Sequence, residues 1–489
     1  MVQKVCRSYS NLPVPAKAAL WFAFGNVVLK GVGLFSAPLF TRLLSPEEYG
    51  RLMVYMVSHE VVLILATWTI PVGAYMRGLF KFKEHIREYT SATLELVHLL
   101  VLVCYFFLWI FRDVVFAATG MGIPEFGALF AFLWFYPAYQ CWLVRQRVNE
   151  RYKNVVAVSV LYGVICVLGP LITVLCFEKT ASCKYIGTFL GAGIFSLFFY
   201  FPYANFAALR NQWEKVRRYW EFSLRFQAPS VLHSLSYLVL GQSDRIMIAV
   251  MAGEKEAAYY SVAYTLAMTF NLFQAALLQS VLPWQYKQLE TGRFERIKSV
   301  NSTLRYYVMG GILLFEVGAP EVLRVLFTQD YFEAIWCVPP VAASLYFLFL
   351  YSTLVNVEEY YEKTRYVMYV SIVCSLFNIV ANYYMLPRFG YLACAYTTLV
   401  SYIFFSIGHY IFARRVVRCA LGLPIGTMFS GRDLLWQGFL MTALSLAVLC
   451  LYPFPVLRYG IVFAGVGILC VYRRRTLEIF AEIRKERNE

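Results

Sequence analysis

Polar sequence is what this chain lacks. Only 15% of its 489 residues are charged and 60% are hydrophobic. Such a composition excludes a soluble globular domain and fits a protein that crosses a bilayer many times. No segment between the apolar runs is long enough to fold by itself, which argues against a separate catalytic or nucleic-acid-binding module. Acidic residues are outnumbered by basic ones, 29 to 44, and the net charge is +15. The excess base sits in short clusters between apolar runs, so it reads as a topology signal and no nucleic-acid partner is expected. The twelve cysteines are scattered without metal-ligand spacing. They read as small buried hydrophobes, and no metal or other resident cofactor is expected. Residues 1–17 read as a retained cytoplasmic leader, because the following apolar run is too long for a signal-peptide core and has no small-residue cleavage site.

Apolar runs of about twenty residues recur near 18–41, 52–75, 90–111, 124–144, 154–177, 184–203, 222–251, 258–282, 303–327, 334–356, 366–387, 390–412, 433–453 and 456–472. The expected fold is therefore an all-α polytopic membrane protein with about fourteen transmembrane helices. Connections rich in Lys and Arg alternate with poor ones, 32 basic residues against 8. Arg305 is counted in the rich set and Arg458 in the poor one. By the positive-inside rule both termini are cytoplasmic, which an even number of spans satisfies.

Residues 150–165, ERYKNVVAVSVLYGVI, align without gaps to residues 362–377, EKTRYVMYVSIVCSLF, at an offset of 212. Glu150 falls on Glu362, Val155 on Val367 and Ser159 on Ser371. The offset carries span five onto span eleven, so spans 1–6 and 7–12 form parallel repeats of like orientation, an arrangement some transporters use. The expected layout is a leader (1–17), an N-lobe (18–209), a linker (210–221), a C-lobe (222–417), two further spans (418–472) and a basic cytoplasmic tail (473–489). The two six-helix lobes are expected to enclose a central cavity, with spans thirteen and fourteen as an appendage.

Three stretches resemble a known family. TRLLSPEEYG at 41–50 follows an apolar helix and is similar to the opening signature of the polysaccharide transporter family. These are lipid-linked oligosaccharide flippases of the multidrug/oligosaccharidyl-lipid/polysaccharide exporter superfamily. APSVLHSLSYLVLGQSDRIMIAVMAGEKEAAYYSVAYTL at 228–266 resembles its seventh span, although Ala257-Ala258 stands where a glycine is common. PRFGYLACAYTTLVSYI at 387–403 matches the Pro/Gly turn before its twelfth span. The resemblance implies alternating access and transfer of an undecaprenyl-diphosphate-linked O-antigen, capsule or exopolysaccharide unit to the outer leaflet of the bacterial inner membrane. It implies a lipid-linked glycan and membrane lipids as partners, with glycan polymerase machinery downstream, and does not make the chain an enzyme.

Charges inside apolar spans are costly, about 2.5–3.5 kcal/mol each on insertion scales, and so face a partner or a wet path. Arg225, Pro229, His233, Ser236 and then Ser243 or Asp244 fall on one helical face. Lys30, with Asn26 one turn before it, sits in the middle of span one. Lys30, Arg225 and Arg245, with Asn26 and His233, are the candidate cavity residues for a diphosphate and acidic sugars, Arg by bidentate contact and Lys as a point charge. Glu60, Asp244 and Glu316 are candidates for balancing that charge or carrying a coupling proton or sodium ion. Asn378 and Asn382, on one face with Ser371 and Ser375, and Asn271 with Gln274 form a polar stripe that faces either the cavity or another helix. Glu358 and Glu359 are expected to be solvated at a helix end. Alternatives are a lipid II flippase, a drug or cation exporter of the same superfamily, and a membrane glycan polymerase or ligase. The last needs a polar catalytic loop that the chain does not carry.

Overall fold

The computed structural model describes residues 35–204 and 212–465, with Trp21, Gly25, Val28, Gly31, Val32 and Gly467. Among the described residues there is no strand. The chain divides into two compact units, Met1–Leu235 and Ser236–Glu489.

The first unit contains α1 (Pro46–Thr67), α2 (Gly73–Lys81), α3 (Ile86–Ile110), α4 (Arg112–Thr119), α5 (Ile123–Val148), α6 (Tyr152–Cys176) and α7 (Ala181–Tyr200). It also takes in the start of α8 (Trp213–Met251), within which the unit boundary falls. The TRLLSPEEYG stretch has a structural reason. Ser45 caps α1, its Oγ accepting from Glu48 N, and Pro46 occupies the first turn, where its missing N–H costs nothing. The Glu48 carboxylate then accepts from Ala181 N at 2.6 Å, so the residue whose backbone N–H meets the cap of α1 also caps the start of α7. α7 packs on α5 and α6, and α1 on α3. The α6–α7 contact is close because glycine faces glycine: a Cβ on Gly187 would lie 2.8 Å from Gly169 O and 2.7 Å from Pro170 Cα.

The second unit holds the rest of α8, then α9 (Glu254–Glu290), α10 (Phe294–Leu326), a 3₁₀ segment (Gln329–Cys337), α11 (Val338–Tyr360), α12 (Thr364–Phe389), α13 (Leu392–Leu421) and α14 (Gly431–Leu451). Here α13 packs on α11 and α12, α9 on α11, and α10 on α11 and α14. The pattern repeats that of the first unit at the offset read from the sequence. α5 and α11 end at residues 148 and 360, and α6 and α12 start at 152 and 364.

Among the described residues, ten helices are long and apolar enough to cross a membrane, and each matches one expected span. The protein is a multi-pass membrane protein. The expected fourteen spans are not all of this kind. Spans seven and nine lie in α8 and α10, which are long, at 39 and 33 residues, but carry more charge. Spans one and fourteen fall partly outside the described residues.

Several charges assigned to connections are buried instead. Arg305 lies inside α10, 2% exposed, and its Nε donates to Gln437 Oε1 of α14 at 2.7 Å. Arg458 is 1% exposed and paired with Glu321 at 2.6 Å. Glu358 is not solvated: it is fully buried against His409. Each is near enough to a helix end to read as interfacial in sequence, and only packing by neighbouring helices removes it from water.

Candidate functional site

Among the described residues, a dense buried polar group lies in the second unit, where α8, α9, α12 and α13 meet. Asp244 of α8 is fully buried. Its Oδ1 accepts from Asn382 Nδ2 at 2.5 Å, and its Oδ2 accepts from Thr398 Oγ1 at 2.5 Å and from the Tyr260 hydroxyl. A second tier holds Asn382: Thr397 donates to its Oδ1, and its Nδ2 also reaches Asn378 Oδ1 at 3.3 Å. Ser243 donates to the same Asn378 oxygen at 3.3 Å, while Asn378 Nδ2 has no acceptor.

Taking a carboxylate out of water costs several kcal/mol even after relaxation. Three hydrogen bonds to a charged acceptor, worth about 1.5–3 kcal/mol each, offset that cost. No guanidinium takes part. Arg245, next along the chain, turns away and donates to Gln242 Oε1, with its guanidinium 4.6 Å from the Tyr264 ring centroid. Adjacent residues on a helix point about 100° apart, so the two charges take different neighbours. The cage therefore holds one buried carboxylate by amide and hydroxyl donors, with no cationic side chain among the described residues hydrogen-bonded to it. The positions 212 residues earlier are Cys166 and Pro170 for Asn378 and Asn382, so the repeat does not carry these two asparagines into the first unit.

The other expected site residues scatter. Glu316 is fully buried in α10 but accepts from Ser445 Oγ of α14 at 2.9 Å, leaving Oε2 without a partner. Gln274 donates to Leu345 O at 3.2 Å, linking α9 to α11, and half-buried Asn271 approaches the Met268 sulfur at 3.7 Å. In the first unit Glu60 is half-buried on α1, Arg225 is exposed and His233 half-buried on α8. Lys30 and Asn26 lie outside the described residues. The structure thus brings Asp244, Asn378 and Asn382 into one cage and leaves Arg245 and Glu316 with partners of their own. Sequence reading missed Tyr260, Thr397 and Thr398, which are ordinary in composition. Their one signal is that all three lie in the two motif stretches, 228–266 and 387–403.

Comparison with known proteins agrees with this architecture. A family model described as polysaccharide biosynthesis protein matches residues 16–287. A Haemophilus influenzae protein named Lsg locus putative protein 1 is 24% identical over 382 residues, covering 74% of this chain and 89% of its own. A solved structure of the lipid II flippase MurJ, in an inward closed conformation, has a TM-score of 0.66 at 14% identity and covers 94% of this chain and 100% of its own. An inward-facing multidrug resistance MATE family transporter of the MOP superfamily has a TM-score of 0.58 at 14% identity, covering 82% of this chain and 94% of its own. At such identities the structural likenesses establish the fold alone: a MurJ- and MATE-like helical fold.

Proposed function

Because the chain belongs to the polysaccharide biosynthesis protein family, whose fold here is that of transporters, we propose that it is a flippase for a lipid-linked oligosaccharide. Its substrate is an undecaprenyl-diphosphate-linked repeat unit of O-antigen, capsule or exopolysaccharide. It moves this unit by alternating access from the cytoplasmic to the outer leaflet of the bacterial inner membrane, where a glycan polymerase receives it. Both termini face the cytoplasm in this reading, which the excess of basic residues in alternate connections supports even with the buried Arg305 and Arg458 set aside. The observation that carries the reading is the family match across residues 16–287, more than half of the chain.

The cations Lys30, Arg225 and Arg245, singled out in the sequence, are the candidates for meeting the diphosphate, by bidentate contact for Arg and as a point charge for Lys. An anion leaving a cell with a negative interior gains about 2.3 kcal/mol per charge per 100 mV, so the membrane potential favours export. The Asp244 cage holds the coupling ion, sodium or a proton. This reading is supported by a fully buried carboxylate hydrogen-bonded only by neutral donors.

The substrate is tested by deleting the gene and identifying the lipid-linked glycan that accumulates on the cytoplasmic face. Accumulation of an oligosaccharide repeat unit with loss of surface glycan supports the reading. Accumulated lipid II points to a lipid II flippase. Unchanged glycans with raised drug sensitivity point to an exporter. The ion is tested in proteoliposomes: transport that responds to exchange of sodium for potassium or to a pH step, and loses that response in Asp244→Asn, supports the cage.

A further inference from the structure

Glu358 and His409 form a buried acid–base pair for which the coupling reading above has no use. Glu358 sits on the last turn of α11 and His409 within α13, and both are fully buried. His409 Nδ1 lies 3.0 Å from Glu358 Oε1. The remaining polar atoms, His409 Nε2 and Glu358 Oε2, have no hydrogen-bond partner. The Tyr351 and Phe405 rings pack on the imidazole, at 4.6 and 4.8 Å between centroids.

The groups around the pair do not neutralise it. α11 itself contributes Tyr351 and the exposed Glu359, α8 brings Tyr237 near Tyr351, and α9 brings Tyr286 against Tyr360. α12 places Tyr366 on Phe412 of α13. Arg414 and Arg415 are exposed further along α13. Arg305 of α10 interacts with Asp433 of α14 and with Tyr346, the latter about three turns back along α11. Among the described residues no lysine or arginine is paired with Glu358.

The internal repeat shows that the fold does not need this pair. The residue equivalent to Glu358 is Gln146, and α7, the counterpart of α13, contains no histidine. Gln146 O accepts from Arg151 N at 2.9 Å, as Glu358 O accepts from Lys363 N at 2.8 Å. α5 packs on α7 as α11 packs on α13. The turn after α9 has a glutamine at the same place again, Gln288, whose carbonyl accepts from Arg293 N at 3.0 Å. A neutral amide closes this kind of helix end twice; an ionisable group stands there once, and beside a histidine.

We propose that Glu358 and His409 together hold one exchangeable proton and form a second ion site of the transporter, separate from Asp244. This rests on the flippase reading for its role in transport, but not for its chemistry. With one proton shared the pair is neutral overall, as carboxylic acid and imidazole or as carboxylate and imidazolium. Without it a bare carboxylate remains in an apolar site, at a cost of several kcal/mol. The proton therefore passes to or from water only in a conformation that wets this end of α11, which ties protonation to the transport cycle. No covalent bond other than to hydrogen forms or breaks.

The test uses the full-length protein in proteoliposomes. Infrared difference spectra across a pH titration should contain a protonated-carboxyl band that disappears in Glu358→Gln and persists in Asp244→Asn. Glu358→Gln should fold, since Gln146 fills the equivalent place, and His409→Gln serves as a second variant. Both should flatten the pH profile of transport. A carboxyl band unchanged in Glu358→Gln overturns the proposal, as do profiles in both variants that superimpose on the wild type. If the band disappears as expected but the wild type moves no lipid-linked oligosaccharide, the proton site stands and the substrate assignment falls.

Discussion

Glu150 and Glu362, 212 residues apart, adopt the same left-handed conformation, with φ of 56° and 57°. The hydrogen bonds around them repeat as well. Glu150 N donates to Arg147 O at 3.1 Å and Glu362 N to Glu359 O at 2.9 Å. An L-residue in this region costs about 1–2 kcal/mol, so keeping it at both places marks a turn that the two helix pairs share. In each case the left-handed residue reverses the chain between two helices with few residues to spare.

The sign of substitution at these turns follows from that backbone. Glu362→Gly relieves the left-handed cost but loosens the unfolded chain by about 0.5–1 kcal/mol, so the purified protein should melt at or slightly above the wild-type temperature. Glu362→Val places a β-branched side chain where φ is positive and should lower the melting temperature clearly. The same pair at Glu150 should behave alike. A valine variant that melts with the wild type would show that the turn relaxes freely.

The α6–α7 crossing should be intolerant of bulk. A Cβ at Gly187 would come within 2.2 Å of Thr173 Oγ1 and 2.7 Å of Pro170 Cα. Thr173 can rotate, although doing so surrenders its bond to Cys183 O at 2.7 Å, but the backbone of Pro170 cannot. Gly187→Ala should lower the thermal midpoint in detergent, and Gly187→Leu should abolish folded protein, as read by size-exclusion profile. Small residues at such contacts let helices approach through backbone packing where no hydrophobic driving force exists between them.

The Asp244 cage should behave as one unit. Asn382→Leu strips the carboxylate of a donor and should cost about 1.5–3 kcal/mol. Asp244→Leu leaves Tyr260, Thr398 and Asn382 without their acceptor and should cost a similar amount. The double variant should cost less than the sum, by about 1–3 kcal/mol, because the orphaned groups are then largely shared. Thermal midpoints of the four proteins measure this. Additive losses would mean that the two residues do not depend on each other.

Much of this architecture can be read from residue pattern, and the parts that cannot have a common cause. Apolar length locates helices because the bilayer sets how many residues must be apolar, and the repeat at 150–165 and 362–377 survives because both copies close the same turn. The direction of a buried charge is another matter. Asp244 and Arg245 are neighbours in sequence, yet one is caged by α9, α12 and α13 while the other rests on Tyr264. Arg305, Glu358 and Arg458 lie where a charge has the option of reaching water, and only the helix packed against it removes that option. Hydroxyl partners such as Thr397 and Thr398 carry no periodic signal at all.

α14 closes a face of α10 that cannot be left to lipid. Three polar links span the two elements and the segment after α14: Arg305 with Gln437 at 2.7 Å, Glu316 with Ser445 at 2.9 Å, and Glu321 with Arg458 at 2.6 Å. Removing all residues after Leu421 would strand Arg305, Glu316 and Glu321 on an apolar surface. A charge exposed at mid-bilayer costs about 2.5–3.5 kcal/mol, comparable to a large share of a membrane protein's net stability, so the truncated chain should not accumulate in the membrane. Adding Arg305→Met and Glu316→Met to the truncation removes the two deepest charges at similar side-chain volume and should restore accumulation in part. Immunoblots of membrane fractions for the full chain, the truncation and the rescued truncation decide it. A truncation that accumulates like the full chain would show that α10 is covered by something other than α14.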